Sequence, residues 1–123
     1  MASSKLFLLI ADANPESVNV LTKILAPDYD IKVAFDEEET IRLASSPHPP
    51  GLILLNNLKP AADRYAVCRK LKADQTAADI PIILLAEPTT EDAEAKGFEL
   101  GAADYITTPF KASEVRARVR NHM

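Results

Sequence analysis

Four residues, Asp12, Asn56, Ala86 and Thr108, stand directly after apolar runs, where a parallel β-sheet would carry its binding site. Asp12 is the only ionisable side chain among them. A single carboxylate serves more often as a hydrogen-bond acceptor in a loop than as a cation ligand. By themselves, these residues offer one acid, one amide, one methyl group and one hydroxyl, which predicts little metal or acid–base chemistry.

Glycine and cysteine are scarce. The three glycines, Gly51, Gly97 and Gly101, are not clustered as loops that cradle phosphate groups require, and neither a Walker A loop nor a dinucleotide-binding fingerprint is present. Cys68 is the single cysteine, so no internal disulfide, CxxC pair or cysteine-based zinc site is possible. The single cysteine is consistent with a reducing compartment, and we predict a cytoplasmic protein.

The chain has 123 residues, 47% of them hydrophobic, which fits one domain over residues 1–123 with a sizeable core. Its net charge of −4 leaves no basic excess for a nucleic-acid backbone or an anionic membrane surface. The apolar runs are too short to span a membrane. We therefore predict no direct nucleic-acid partner and no membrane association for this domain.

Short apolar segments predict five β-strands, at 6–11, 31–35, 52–55, 82–85 and 104–107. The first, third and fourth are continuous, which is typical of strands buried on both faces. Helical periodicity fills the segments between them. Helix N-caps are predicted at Asn14, Asp36 and either Thr89 or Thr90, a left-handed C-cap at Gly101, and a last helix over 111–122.

Strict alternation of strand and helix, repeated five times, predicts a parallel sheet with helices on both faces. This is a doubly wound, three-layer α/β domain. Ligands of such sheets bind beyond the carboxyl ends of the strands, so the four residues named at the outset are expected to lie together at one edge.

Three segments carry a resemblance to a known family. They are 9–15 (LIADANP), 52–63 (LILLNNLKPAAD) and 101–110 (GAADYITTPF). In this order and spacing they are similar to the receiver domain of response regulators, the phospho-accepting module of two-component signalling, over nearly the whole chain. The resemblance implies a flavodoxin-like (βα)5 fold with strand order 2-1-3-4-5.

The resemblance also implies a phosphorylation site that has lost its chemistry. The phosphoacceptor aspartate is replaced by Asn56, and of the acidic pair only Asp12 remains, because the second position is Ala13. The hydroxyl and lysine positions are Ala86 and Thr108. An amide is neither a useful nucleophile toward phosphate nor a good magnesium ligand, so we expect no catalytic residue, no metal site and lost or very weak Mg²⁺ binding.

Further positions follow from the same resemblance. Tyr105 matches the aromatic residue whose rotamer follows the phosphate-bound hydroxyl; without that hydroxyl it is either fixed in one rotamer or driven by a partner, and fixation is favoured. Thr108–Pro109 matches a bond that is cis in the family. Arg64 stands where the family has glycine, so a positive φ kept there would cost about 1–2 kcal/mol.

The expected partners are proteins. The family uses its fourth helix, fifth strand and fifth helix as a dimer or partner face, and Asp104 and Arg118 match positions that can pair across it. We expect an output domain in the same chain, a sensor kinase or another receiver as partner, and a homodimer is possible. The resemblance further indicates a fragment of a longer signalling protein, whose output module could be an enzyme although this domain is not.

The predicted function is that of a degenerate receiver, or pseudo-receiver, acting in signal transduction as an interaction or dimerisation module without phosphorylation. One alternative is an active phospho-accepting receiver with an atypical site. A second is a flavodoxin-like protein that binds flavin or nucleotide. The sequence names neither the kinase, the signal, the output domain nor any ligand that could replace phosphorylation.

Overall fold

The computed structural model describes residues 7–59, 63–87 and 91–123, apart from the side chains of 91–94. Five strands alternate with five helices: β1 (Phe7–Ala11), α1 (Pro15–Leu25), β2 (Asp30–Ala34), α2 (Glu37–Ala44), β3 (Leu52–Leu55), α3 (Arg64–Ala73), β4 (Ile82–Ala86), α4 (Glu91–Glu99), β5 (Asp104–Thr107) and α5 (Ala112–His122). The predicted alternation is confirmed, and in the described residues the strand ends and the bounds of the last helix lie within one residue of expectation.

The strands form one parallel sheet in the order β2-β1-β3-β4-β5. This confirms the doubly wound, flavodoxin-like architecture. Right-handed crossovers place helices on both faces, and the central strands are accordingly apolar at every position. All residues of β3 and β4 are buried.

Successive side chains of the strands pack on opposite faces and create two cores. Leu9 and Leu55 belong to the core beneath α2 and α3, whereas Leu8 and Leu54 belong to the core beneath α1 and α5. Each fully buried leucine stabilises the fold by about 1.5–3 kcal/mol. Cys68 lies in the first core and is buried, as its place on the apolar face of α3 predicts.

Capping residues fix where several helices begin and end. The Asn14 side chain accepts from the Glu16 N–H at 2.9 Å, with Pro15 as the first helical residue, and the Asp36 side chain accepts from the Glu39 N–H at 2.8 Å. Both predicted N-caps are confirmed. Gly101 has φ 100°, which confirms the predicted left-handed C-cap. The predicted cap at Thr89 or Thr90 lies outside the described residues.

The fourth helix approaches the sheet closely at Gly97. A Cβ atom on this residue would lie 2.7 Å from Leu84 Cδ1 and 3.3 Å from the ring of Tyr105. A side chain at this position would therefore force Leu84 to shift. The contact holds α4 against β4 and β5, the two strands that form one wall of the candidate site.

No helix in the described part of the chain is long and apolar enough to cross a membrane.

Candidate functional site

The carboxyl ends of β1, β3, β4 and β5 surround a cleft of about 660 Å³. Its lining includes all four residues that the sequence singles out, Asp12, Asn56, Ala86 and Thr108. Asp12 follows β1, Asn56 follows β3, Ala86 ends β4 and Thr108 follows β5. The parallel order thus brings together residues that are up to 96 positions apart in the chain (108 − 12 = 96).

Asp12 forms the floor of the cleft and is only 1% exposed. The Asn14 N–H donates to its Oδ1 at 2.8 Å, and Asn56 Nδ2 donates to its Oδ2 at 3.3 Å. Burial raises the pKa of this carboxyl above its ordinary value, although both hydrogen bonds and the charge of Arg64 act in the opposite direction. Both carboxylate oxygens are therefore already engaged by the protein.

The side chain of Asn56 lies between the carboxylate of Asp12 and the guanidinium of Arg64. While its Nδ2 donates to Asp12, its Oδ1 accepts from three groups: the Asn57 N–H at 2.8 Å, Arg64 Nη2 at 2.7 Å and Arg64 Nε at 3.2 Å. Its own N–H donates to the Ala11 carbonyl, which continues the β1–β3 pairing. The amide is thus held at both ends, and its acceptor oxygen has no capacity for a further strong ligand.

Arg64 reaches the cleft from the first turn of α3. The Asp63 side chain accepts from the Tyr65 and Ala66 N–H groups and starts this helix, while Asn57 Oδ1 accepts from the Arg64 N–H at 3.0 Å. No non-glycine residue in the described chain has a positive φ. The positive φ considered for the loop at Arg64 is therefore absent, because the helix begins at this residue.

The sequence marks Arg64 as a departure from the family but does not reveal its role at the site. The available signal was an arginine eight residues after a strand-end amide. What the sequence does not reveal is the path of the intervening loop, which decides whether the guanidinium reaches Asn56.

The opposite wall offers few functional groups. Ala86 is 4% exposed and contributes a methyl group, and Thr108 is partly buried. The Thr108 N–H donates to the Ala86 carbonyl at 2.9 Å, and the Thr108–Pro109 peptide bond is cis. No cationic side chain extends from position 108, so this wall supplies neither a hydroxyl at 86 nor a charge at 108.

Two tyrosines meet at the side of the cleft. The hydroxyl oxygens of Tyr65 and Tyr105 are 2.8 Å apart, and Tyr105 is 6% exposed. From α4, Lys96 Nζ lies 5.0 Å from the centroid of the Tyr65 ring, and the Phe98 ring centroid lies 6.5 Å from that of Tyr105. In this arrangement the Tyr105 side chain is buried, and its hydroxyl contacts that of Tyr65.

Asp104 is the first residue of β5 and so lies where the strands begin, at the amino edge of the sheet, opposite the cleft. Arg118 Nη1 donates to its Oδ1 at 2.6 Å, and His122 Nε2 lies 3.1 Å from its Oδ2. Burial opposes ionisation of Asp104, but the Tyr105 N–H, Arg118 and His122 outweigh it and lower the pKa of the carboxyl. The two residues predicted for an interface are thus paired within one chain.

The residues at the cleft do not fit a magnesium ion. Mg²⁺ requires near-octahedral oxygen coordination, commonly from two carboxylates and several waters. Here the oxygens of the buried Asp12 carboxylate already accept hydrogen bonds, the other acid of the lining, Glu87, is exposed, and the Asn56 oxygen faces three donors. Across the described residues no group of three His, Cys, Asp or Glu is placed to hold a metal.

Comparison with known proteins identifies the family of the chain. Residues 8–120 match the sequence pattern described as response regulator receiver domain. The DNA-binding dual master transcriptional regulator RpaA of Synechocystis sp. is 34% identical over 114 residues, covering 92% of this chain and 47% of the relative. Response regulator PleD of Caulobacter vibrioides is 33% identical, covering 93% of this chain and 25% of the relative.

Solved structures agree with this relationship. The crystal structure of a response regulator from Chloroflexus aurantiacus superposes with a TM-score of 0.87 at 28% identity, covering 96% of this chain and 97% of that one. The chain spans about half the length of curated relatives that it matches at 34% identity. The flavin- or nucleotide-binding alternative, which shared only the fold, has no support in these matches.

The matched pattern covers residues 8–120, the relatives include response regulators, and the fold superposes on a solved response regulator with a TM-score of 0.87. The chain therefore belongs to the response regulator receiver domain family.

Proposed function

We propose that this receiver domain transmits signals by protein contact and does not accept a phosphoryl group. The observation that carries the proposal is the closed polar network in the cleft, in which Asn56 joins Asp12 to Arg64. Every strong acceptor in this network already faces a donor from the same chain. A site that must bind Mg²⁺ and a phosphodonor needs carboxylate oxygens that are open to the ligand.

Covalent phosphorylation requires a nucleophilic oxygen that attacks phosphorus. The amide oxygen of Asn56 carries no full negative charge, and its direction is fixed by the guanidinium of Arg64. Ala13, Ala86 and Thr108 add neither an acid, a hydroxyl at the strand end nor a lysine ammonium to offset developing charge. The site therefore lacks the nucleophile, the metal ligands and the charge compensation together.

The remaining function is that of an interaction module. The Tyr105 side chain is buried and its hydroxyl contacts that of Tyr65, so the surface formed by α4, β5 and α5 keeps one arrangement without phosphate. That surface, with Asp104 and Arg118 at its edge, is the proposed contact face for a second copy or a partner protein. The domain itself is not an enzyme, and its place of action is the cytoplasm.

The proposed partners are an output domain in the same chain, a sensor kinase or another receiver. Several relatives are about twice the length of this chain or more, and those named as transcriptional regulators or response regulators illustrate the range of possible outputs. Direct nucleic-acid binding by this domain is not part of the proposal, since its net charge is −4.

The test is incubation with acetyl phosphate and Mg²⁺, followed by intact-protein mass spectrometry. We expect no added phosphoryl group and no change in thermal stability with beryllofluoride. Sedimentation velocity before and after treatment should give the same oligomeric state. An active receiver with an atypical site would instead gain one phosphoryl group stoichiometrically, and peptide mapping would locate it. That result would overturn the proposal.

A further inference from the structure

The cleft is organised around a guanidinium group, and we propose that it is a binding site for guanidinium ligands. The side chain of Arg64 occupies this site in the structure, and an external guanidinium compound would bind by displacing it. The proposal does not depend on whether the domain accepts phosphate, because it concerns the binding of a cation to the cleft and no covalent step.

The contacts of Arg64 are those of a ligand in a built site. Two nitrogen atoms of its guanidinium, Nη2 and Nε, approach one acceptor, Asn56 Oδ1, at 2.7 and 3.2 Å. Behind the amide, Nδ2 of the same residue donates to the carboxylate of Asp12. The buried carboxylate of Asp12 thus compensates the guanidinium charge through the Asn56 amide, which is hydrogen-bonded to both groups.

An aromatic ring completes the binding geometry. The guanidinium carbon of Arg64 lies 5.8 Å from the centroid of the Tyr65 ring, which is within the range of a cation–π contact. A guanidinium is planar and weakly hydrated, so an amide acceptor on one side and a ring nearby suit it better than a compact ammonium. The cleft of about 660 Å³ also leaves room for the remainder of a ligand.

The charges at the cleft favour a cation once Arg64 leaves. In the part of the lining that the structure describes, Asp12 and Glu87 are acidic and Arg64 is the one basic side chain. Rotation of Arg64 toward solvent would leave two acids and no cation. Because the Asp12 oxygens already accept hydrogen bonds and Glu87 is exposed, this pair of acids suits a metal ion poorly, and an organic cation is the ligand that they would attract.

The exchange needs only side-chain motion. Asp63 and Asn57 hold the start of α3 through its N–H groups, so the backbone of Arg64 can stay in place while its partly buried side chain swings out. An external ligand must displace this side chain and so binds the parent protein more weakly than a variant that lacks the guanidinium.

The experiment is chemical rescue of Arg64→Met, which keeps an apolar stem and removes the guanidinium. Arg69→Met, at an exposed position of the same helix, is the matched control. We expect Arg64→Met to lower Tm by about 4–8 °C, as loss of a charged hydrogen bond does in a domain of this size. Methylguanidine should restore at least about half of this loss once its concentration exceeds Kd roughly tenfold.

Three comparisons decide the outcome. Methylammonium at the same concentration should not rescue Arg64→Met, Arg69→Met should respond to methylguanidine no more than the parent, and Arg64→Met/Asn56→Leu should lose the rescue. Equal effects of methylguanidine on both single variants, or equal rescue by methylammonium, would overturn the proposal. A short arginine-containing peptide in place of methylguanidine distinguishes a protein ligand from a small molecule.

A second measurement uses the parent protein and holds even if Arg64→Met does not fold. Titration with methylguanidine should shift the NMR signals of the Asn56 side-chain amide in a saturable manner, and where Arg64→Met folds its affinity for methylguanidine should be about tenfold or more higher. Absence of a saturable shift at Asn56 in every folded form tested would reject the site.

Discussion

Two aspartates at opposite edges of the sheet meet arginines in different ways. Asp12, at the carboxyl edge, faces Arg64 through the side chain of Asn56, and the pKa of its buried carboxyl is raised. Asp104, at the amino edge, contacts Arg118 directly and lies beside His122, and its pKa is lowered despite partial burial. Asp12 is the more deeply buried, and a cation reached through an amide does not offset its desolvation, whereas the direct contacts of the less buried Asp104 outweigh its own.

This difference bears on function. At the carboxyl edge, the side chains of Asp12, Asn56 and Arg64 are hydrogen-bonded to one another within the cleft. The amino-edge pair stays partly exposed, with 39% of the Arg118 side chain accessible. It lies beside the proposed partner face, where a charged group can still be shared with another protein.

The largest expected effect comes from converting the cleft into a working site. Ala13→Asp, Asn56→Asp, Ala86→Thr and Thr108→Lys restore the family's groups, and Arg64→Gly removes the internal cation. We expect this variant to bind Mg²⁺ and to gain one phosphoryl group from acetyl phosphate, as measured by intact mass. The parent should gain none.

The matched control is the fourfold variant that keeps Arg64. Its guanidinium repels the metal ion and competes for the new carboxylate, so its Mg²⁺ affinity should be about tenfold lower, equivalent to about 1.4 kcal/mol. Equal affinities would show that Arg64 does not act as the cation of the cleft. No binding by either variant would mean that the loops hold a different geometry.

Removal of the bridging amide should cost more than any change at Asp104. Asn56→Leu leaves the buried carboxylate of Asp12 without one donor and Arg64 without its acceptor, for an expected loss of about 2–3 kcal/mol in the free energy of unfolding. Urea denaturation at pH 7 measures it. Asn19→Leu, at an exposed position of α1, should change stability by less than about 0.5 kcal/mol. An Asn56→Leu variant as stable as Asn19→Leu would contradict the network.

A smaller loss is expected at the amino edge. Asp104→Asn removes a direct but partly exposed ion pair, so we expect a cost of about 1 kcal/mol at low salt. Because the Debye length falls to about 3 Å at 1 M ionic strength, most of this loss should disappear at high salt. The loss for Asn56→Leu should persist, since its groups are more deeply buried. Equal salt sensitivity of the two variants would remove the distinction between the edges.

The sequence predicts the scaffold better than it predicts the site. Continuous apolar runs and the caps at Asn14 and Asp36 are local signals, and the observed sheet follows from them together with the rules for parallel crossovers. The sequence also places Asp12 and Asn56 at one edge. The sequence could not show that the Arg64 guanidinium contacts Asn56, because that contact depends on where α3 begins.

The finest test of the comparison is the pH dependence of stability in Asp12→Asn and Asp104→Asn. A raised pKa in the folded state means that native Asp12 binds more protons than the unfolded chain in the range just above the ordinary aspartate pKa of about 3.9, so this residue reduces stability as the pH rises through that range. A lowered pKa at Asp104 means the opposite. Its stabilisation is complete above about pH 3.9 and is lost as the pH falls toward the folded-state value.

The two variants should therefore give differences of opposite slope when urea unfolding is followed from acid to neutral pH. The stability of the parent minus that of Asp12→Asn should fall as the pH rises, because the parent alone bears the cost of a buried charge. The same difference for Asp104→Asn should rise, because the parent alone gains the ion pair. Parallel slopes would mean that Arg64 neutralises Asp12 as effectively as Arg118 neutralises Asp104, and the amide bridge would then be no weaker than a direct contact.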